Sequence, residues 1–167
     1  MSGSFHALMG SVDPPMYVVT ARGADGEPVG CLVGFATQVS IRPPRFAVLV
    51  SRLNHTFGPA MAAEHLVVHV LRKGDDDLAR RFGGETADDL PDGGVDKFVG
   101  LAVRDGPGGA PVIDGLDWFG GRVFGRYDCG DHVAVVLDPE GGEAPRAALP
   151  AYGLQDAFGV VDPGHPA

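Results

Sequence analysis

The 167-residue sequence is poor in cysteine, in basic residues and in long apolar runs. Its two cysteines, Cys31 and Cys129, are too few for a disulfide framework and lack metal-ligand spacing, so both are read as buried thiols. No run approaches the ~18 apolar residues of a membrane-spanning helix. The first ten residues lack the basic start and apolar core of a signal peptide, which leads us to expect a cytoplasmic protein. Thirteen Lys and Arg stand against 22 Asp and Glu, a net charge of −9, which argues against nucleic acid as the main partner. There is no Gly-x-Gly-x-x-Gly after a strand, no phosphate loop and no Gly-x-Ser-x-Gly elbow. His6, His55, His65, His69 and His165 have no metal-ligand spacing, and no metal is assigned.

What is present centres on residues 34–56. A segment of small and polar residues (Ala36, Thr37, Gln38, Val39, Ser40) leads to a corner at Pro43 and Pro44. An apolar run over 46–50 follows, and then a hydroxyl and amide cluster of Ser51, Asn54 and Thr56. The run reads as a buried strand that begins after the prolines, which cannot donate ladder hydrogen bonds. Thr56 reads as the N-cap of a helix reaching about residue 64, with Pro59 in its first turn. Such a stretch suits a flat polar heterocycle at one end and a phosphate at the other. Residues 42–81 carry seven basic residues against four acidic ones, +3 there and −12 elsewhere, which suits a small anion held locally.

Strands are expected over 16–20 and 29–33 as a hairpin, then over 66–71, 112–113, 118–127 and 133–137. Short helices are expected near residues 5–10 and over 75–82, the latter with acids in its first turn and Arg80 and Arg81 in its last. Segments 83–94 and 105–111 read as loops, and from Pro139 onward a tail docks through Tyr152, Leu154 and Phe158 and frays after residue 161. One domain with about six or seven strands and three short helices is mainly β, a barrel or a sandwich.

Several short motifs occur in order: Val18-Val19-Thr20, Thr37-Gln38-Val39-Ser40, Pro43-Pro44, Asn54-His55-Thr56, Leu78-Ala79-Arg80-Arg81-Phe82, Asp96-Lys97-Phe98, Gly109-Ala110-Pro111-Val112 and Gly130-Asp131-His132. Together they resemble the flavin reductase-like family of FMN-binding split β-barrels over residues 1–139, leaving 140–167 as a C-terminal tail. The resemblance implies a homodimeric NAD(P)H:flavin oxidoreductase that binds FMN, with FAD or riboflavin as variants, uses NADH or NADPH, and often supplies a separate monooxygenase. It implies flavin contacts from Ala36, Thr37, Gln38, Val39, Ser40, Ser51, Arg52, Asn54, Thr56, Arg81 and Phe82, and a nicotinamide contact from His132. No side chain need act as nucleophile or general base, because the cofactor carries the chemistry. Gln38 and Gly34 depart from the hydroxyl residues common in the family. Acids at Glu85, Asp88, Asp89 and Asp92 lead us to expect a preference for NADH through like-charge repulsion. The alternative reading is a flavin- or deazaflavin-binding protein without flavin reductase turnover, a carrier or an oxidoreductase on another substrate.

Overall fold

Apolar runs separated by glycine-containing turns assemble here into a seven-stranded antiparallel sheet. In the computed structural model, residues 3–84 and 96–161 are described. The strands are β1 (Tyr17–Arg22), β2 (Pro28–Val33), β3 (Ala36–Ile41), β4 (Pro44–Ser51), β5 (His65–Val70), β6 (Val103–Asp105), β7 (Pro111–Ile113), β8 (Asp117–Asp128) and β9 (His132–Glu143). The sheet order is β2-β1-β5-β8-β9-β4-β3, and β6 pairs with β7 as a separate ribbon. Four short α-helices, α1 (Gly3–Ser11), α2 (Phe57–Ala62), α3 (Asp76–Gly83) and α4 (Leu154–Ala157), and a 3-10 turn at Pro107–Gly109 accompany the strands among the described residues. The mainly β class expected from the sequence is therefore observed.

Strand β1, second in the sheet order, is buried on both faces, which is why it reads as a nearly continuous apolar run. Tyr17, Val19 and Ala21 pack with Cys31 and Val33 of β2, Val48 and Val50 of β4, and Val135 and Leu137 of β9. Because β2 and β4 lie near opposite ends of the strand order yet share one cluster, the sheet curls around it. Val18 faces the other way, into a second cluster with Leu71, Phe82, Phe98, Tyr152 and Ala157. On that face His69 is fully buried; its Nδ1 pairs with the Val18 carbonyl at 3.1 Å, and its Nε2 accepts from the Ile113 N–H at 2.9 Å. Burial pushes the His69 imidazole down to about 4.

Several sequence expectations are corrected. Strand β4 begins at Pro44 rather than after it, because Pro44 faces Ile41 across the hairpin and the first strand position tolerates a missing donor. The Arg42-Pro43 peptide in that turn is cis. Helix α2 stops at Ala62, and Thr56 makes no side-chain cap. Its side chain is buried instead, and the Thr56 N–H donates to Asn54 Oδ1 at 2.9 Å. Cys31 is a buried thiol, whereas Cys129 is exposed, because it lies in the turn between β8 and β9.

Strand β9 runs through Pro139 to Glu143, and the chain beyond it is docked at particular residues, Tyr152, Gly153 and Ala157 being buried. Arg146 donates its backbone N–H to Asp117 at 2.6 Å and its guanidinium to both oxygens of Asp75 at 2.9 and 2.7 Å. Arg72 reaches the same Asp117 at 2.6 Å. Tyr152, 1% exposed, donates its hydroxyl to Asp76 at 2.9 Å.

Candidate functional site

A cleft of about 230 Å³ opens where the ends of β2 and β4, the start of β9 and the docked C-terminal segment meet. Its polar lining comes from Ser51, Asn54 and His132. Ser51 ends β4 and is the register partner of His132, the first residue of β9. The sheet thus brings together two residues that are far apart in the chain.

Two turns fix this polar side. In residues 51–56, Leu53 N–H donates to Ser51 Oγ at 3.3 Å, and Asn54 Oδ1 accepts from Thr56 N–H. These are the local side-chain-to-backbone bonds typical of Ser and Asn in turns. In residues 128–131, Gly130 adopts φ 100, a left-handed conformation, and donates to Asp128 Oδ1 at 2.8 Å. Arg52 stitches the turns together. Its Nε donates to the Gly130 carbonyl at 2.9 Å, its Nη2 meets Asp128 at 2.9 Å, and its backbone N–H donates to the Asp131 carbonyl at 3.0 Å. The Gly130 N–H and then the Arg52 guanidinium hold the Asp128 carboxyl below its usual range. His132 Nδ1 pairs with Asp131 at 2.7 Å, and the imidazole lies 5.2 Å from the Phe35 ring.

The apolar lining comes from Met16, Leu32, Leu49, Leu154, Phe158 and Val161, among others. Sequence reasoning missed Phe35 and these C-terminal residues as site residues. The signal that was available, three large apolar residues in the tail, points to docking and does not reveal a cleft. Gly34 also lines the cleft, and a Cβ there would lie 3.2 Å from Met16 Sδ, close enough that Met16 would have to shift slightly. Beside the cleft, burial pushes the Cys31 thiol up to about 11, against the opposing hydrogen bond of the Thr56 hydroxyl.

The other expected site residues lie elsewhere. Ala36, Thr37, Gln38, Val39 and Ser40 form the edge strand β3, which pairs only with β4 in the sheet and is interrupted by a bulge between Gln38 and Ser40. Gln38 Nε2 is tied to the Ser40 carbonyl at 3.0 Å, while the outer backbone groups of an edge strand remain available to a ligand. Phe82 is 1% exposed, edge-on to Phe98 at 5.2 Å in the second cluster; its neighbour Gly83 lines the cleft. Arg81 is held by the Val99 carbonyl at 2.6 Å and by Asp77 at 3.3 Å. The basic zone of residues 42–81 is largely neutralised: Arg45, Arg52, Arg72, Lys73, Arg80 and Arg81 each meet an Asp within 4.0 Å. Glu85, Asp88, Asp89 and Asp92 lie outside the described residues.

A planar heteroaromatic ring fits this arrangement. One side of the cleft is apolar, three polar side chains converge on the other, and the volume suits a ring system rather than a whole dinucleotide. Residues 9–160 match the model of the flavin reductase like domain, and the chain belongs to that family. It is 31% identical over 153 residues to a flavin reductase (NADH) of Kitasatospora aureofaciens, covering 89% of this chain and 74% of the relative. It is 30% identical over 133 residues to a flavin reductase of Pseudomonas putida, covering 79% and 74%. Among solved structures, an NADH:FAD oxidoreductase of Streptomyces globisporus superposes with a TM-score of 0.74 at 25% identity, over 89% of this chain and 84% of that one.

Proposed function

We propose that the protein is an NAD(P)H:flavin oxidoreductase that passes hydride from a reduced nicotinamide to a flavin, FMN in the first instance. The observation that carries this reading is the cleft itself, apolar on one side and lined by Ser51, Asn54 and His132 on the other, in a chain of the flavin reductase like family. When bound together, the nicotinamide supplies the hydride and the flavin accepts it. The chain's own residues bind and orient. Ser51 and Asn54, fixed by their turn, offer a hydroxyl and an amide to the polar atoms of the flavin, and the outer edge of β3 offers backbone donors and acceptors to its ring. His132, oriented through Nδ1 by Asp131, presents Nε2 to the nicotinamide amide.

A split-barrel arrangement of the curled sheet and a homodimer are part of the same proposal. The dimer is supported by Val39 and Ile41, 51% and 77% exposed on edge strand β3, and by Phe124 at 48%. Light scattering of the purified protein reads the oligomeric state directly. The use of NAD(P)H suits a cytoplasmic setting and a separate monooxygenase as consumer of the reduced flavin. Among the described residues no helix is long and apolar enough to cross a membrane.

The test is an anaerobic titration of the flavin-loaded protein with NADH and with NADPH. Bleaching of the yellow flavin band with turnover of added flavin is expected. Flavin that stays bound and oxidised would defeat the reductase reading and leave a binding protein.

A further inference from the structure

The geometry points to Phe158 as a positioning residue whose ring covers the face of the planar heteroaromatic ring held in the cleft, the isoalloxazine of the flavin or the nicotinamide. This inference rests on the flavin reductase reading above. The chain around Phe158 is firmly anchored. Tyr152 is buried, with its N–H donating to the Leu71 carbonyl at 2.9 Å and its carbonyl accepting from Met16 N–H at 2.8 Å. Asp156 accepts from Lys73 Nζ at 2.6 Å and from Gly153 N–H at 2.8 Å. Gln155 donates its backbone N–H to Asp13 at 2.8 Å and its side-chain amide to the Gly10 carbonyl at 3.0 Å. Ala157, 5% exposed, turns into the second cluster.

On this anchored segment Phe158 is left 58% exposed, yet it lines the cleft that also holds Ser51, Asn54 and His132. A large aromatic held at the rim by a rigid element loses little freedom on binding, so it is already organised for contact with a flat ring. Leu154 and Val161, which line the cleft from the same segment, supply edge contacts but no flat face. Phe158 alone in the C-terminal segment therefore offers a stacking surface.

The test compares Phe158→Ala with Phe158→Tyr in the full chain, using equilibrium titration of flavin followed by flavin fluorescence together with steady-state kinetics in NADH. Phe158→Ala is expected to raise one ring ligand's constant about 3- to 10-fold, the weight of a single aromatic pair. Phe158→Tyr, which keeps the ring, is expected to restore it. Because the side chain is exposed, Tm should hold. A raised flavin Kd assigns the covered ring to flavin; an unchanged flavin Kd with a raised KM for NADH assigns it to nicotinamide. If both constants are unchanged in Phe158→Ala while the wild type binds flavin and oxidises NADH, the proposal is overturned. It is equally overturned if Phe158→Tyr is as impaired as Phe158→Ala. A wild type that neither binds flavin nor oxidises NADH overturns the reductase reading, and this proposal with it.

Discussion

The polar side of the cleft is made of two turns stitched to each other, whereas its apolar side, lined also by Met16, Leu32 and Leu49, is completed by a docked chain end held by buried side chains. On the polar side Ser51, Asn54 and His132 stand on residues 51–56 and 128–132, where Arg52, Asp128 and Gly130 form exposed hydrogen bonds and an ion pair. Exposed pairs of this kind contribute modestly to stability. On the apolar side Leu154 and Phe158 stand on a segment secured by Tyr152 and Ala157 within the second cluster. The difference teaches that one cleft can be organised by local turn chemistry on one wall and by global packing on the other. Substitutions can separate the two.

The largest effect is expected from Tyr152→Ala. It removes a side chain that is 1% exposed, together with its hydrogen bond to Asp76. Large-to-small changes of a buried aromatic cost about 3–5 kcal/mol. Chemical denaturation should show that loss, and limited proteolysis should cut after residue 143 sooner than in the wild type. If the segment stayed protected and stability fell by less than 1 kcal/mol, the apolar wall would not depend on packing as argued.

Next in size is a pH effect on the same face of the sheet. His69 is held neutral by burial with its folded value near 4, below the ordinary 6.5. The unfolded chain therefore takes up the proton first as pH falls, and stability is full above about 6.5 and declines toward about 4. A depression of that size corresponds to about 3 kcal/mol at most. Replacing His69 by Gln should flatten this part of the stability curve. An unchanged slope between pH 6.5 and 4 would assign the acid sensitivity to carboxylates instead.

On the polar side, His132→Ala should raise KM for NADH about 10-fold, the weight of one hydrogen bond in a partly dry site, and leave flavin Kd and Tm nearly unchanged. Its imidazole is 17% exposed and bonded only to its neighbour Asp131 among the described residues, so little folding stability rests on it. Equal loss of flavin and nicotinamide binding would show that His132 acts by holding the turn. Tyr152→Ala, by contrast, should weaken both.

How much of this was legible in the sequence follows the same division. Strands β1, β2 and β5 were readable because β-branched and apolar residues bounded by Gly, Pro and Asp have few alternatives to a strand. Helix α3 was readable because Asp76 and Asp77 open it and Arg80 and Arg81 close it. Ser51 and Asn54 stood out as a hydroxyl and an amide near a helix start, and His132 through the Gly130-Asp131-His132 motif; the fold brings the three to one cleft. The apolar wall was not legible, because whether Phe158 is buried or left at a rim depends on where residues 144–161 dock. That in turn depends on Asp75 and Asp117 meeting Arg146 across the fold. For Arg52 and Phe82 the sequence shows the residue type but not its neighbours: Arg52 meets Asp128, and Phe82 packs edge-on to Phe98.

The smallest expected effect belongs to Gln38, which departs from the hydroxyl residue common in the family. Its amide lies on the outer strand β3 and donates to the Ser40 carbonyl across the bulge, so the side chain supports its own strand. In the proposed reading the flavin meets backbone groups of that strand, which a substitution leaves in place as long as the bulge survives. Gln38→Ser should therefore change flavin Kd by less than about 2-fold and stability by less than about 0.5 kcal/mol, the range of ordinary surface substitutions. Titrating FMN, FAD and riboflavin against both proteins checks this. A change in the rank order of the three flavins would mean that the Gln38 amide leaves Ser40 to meet the ligand, and would make the β3 edge a third, adaptable wall of the cleft.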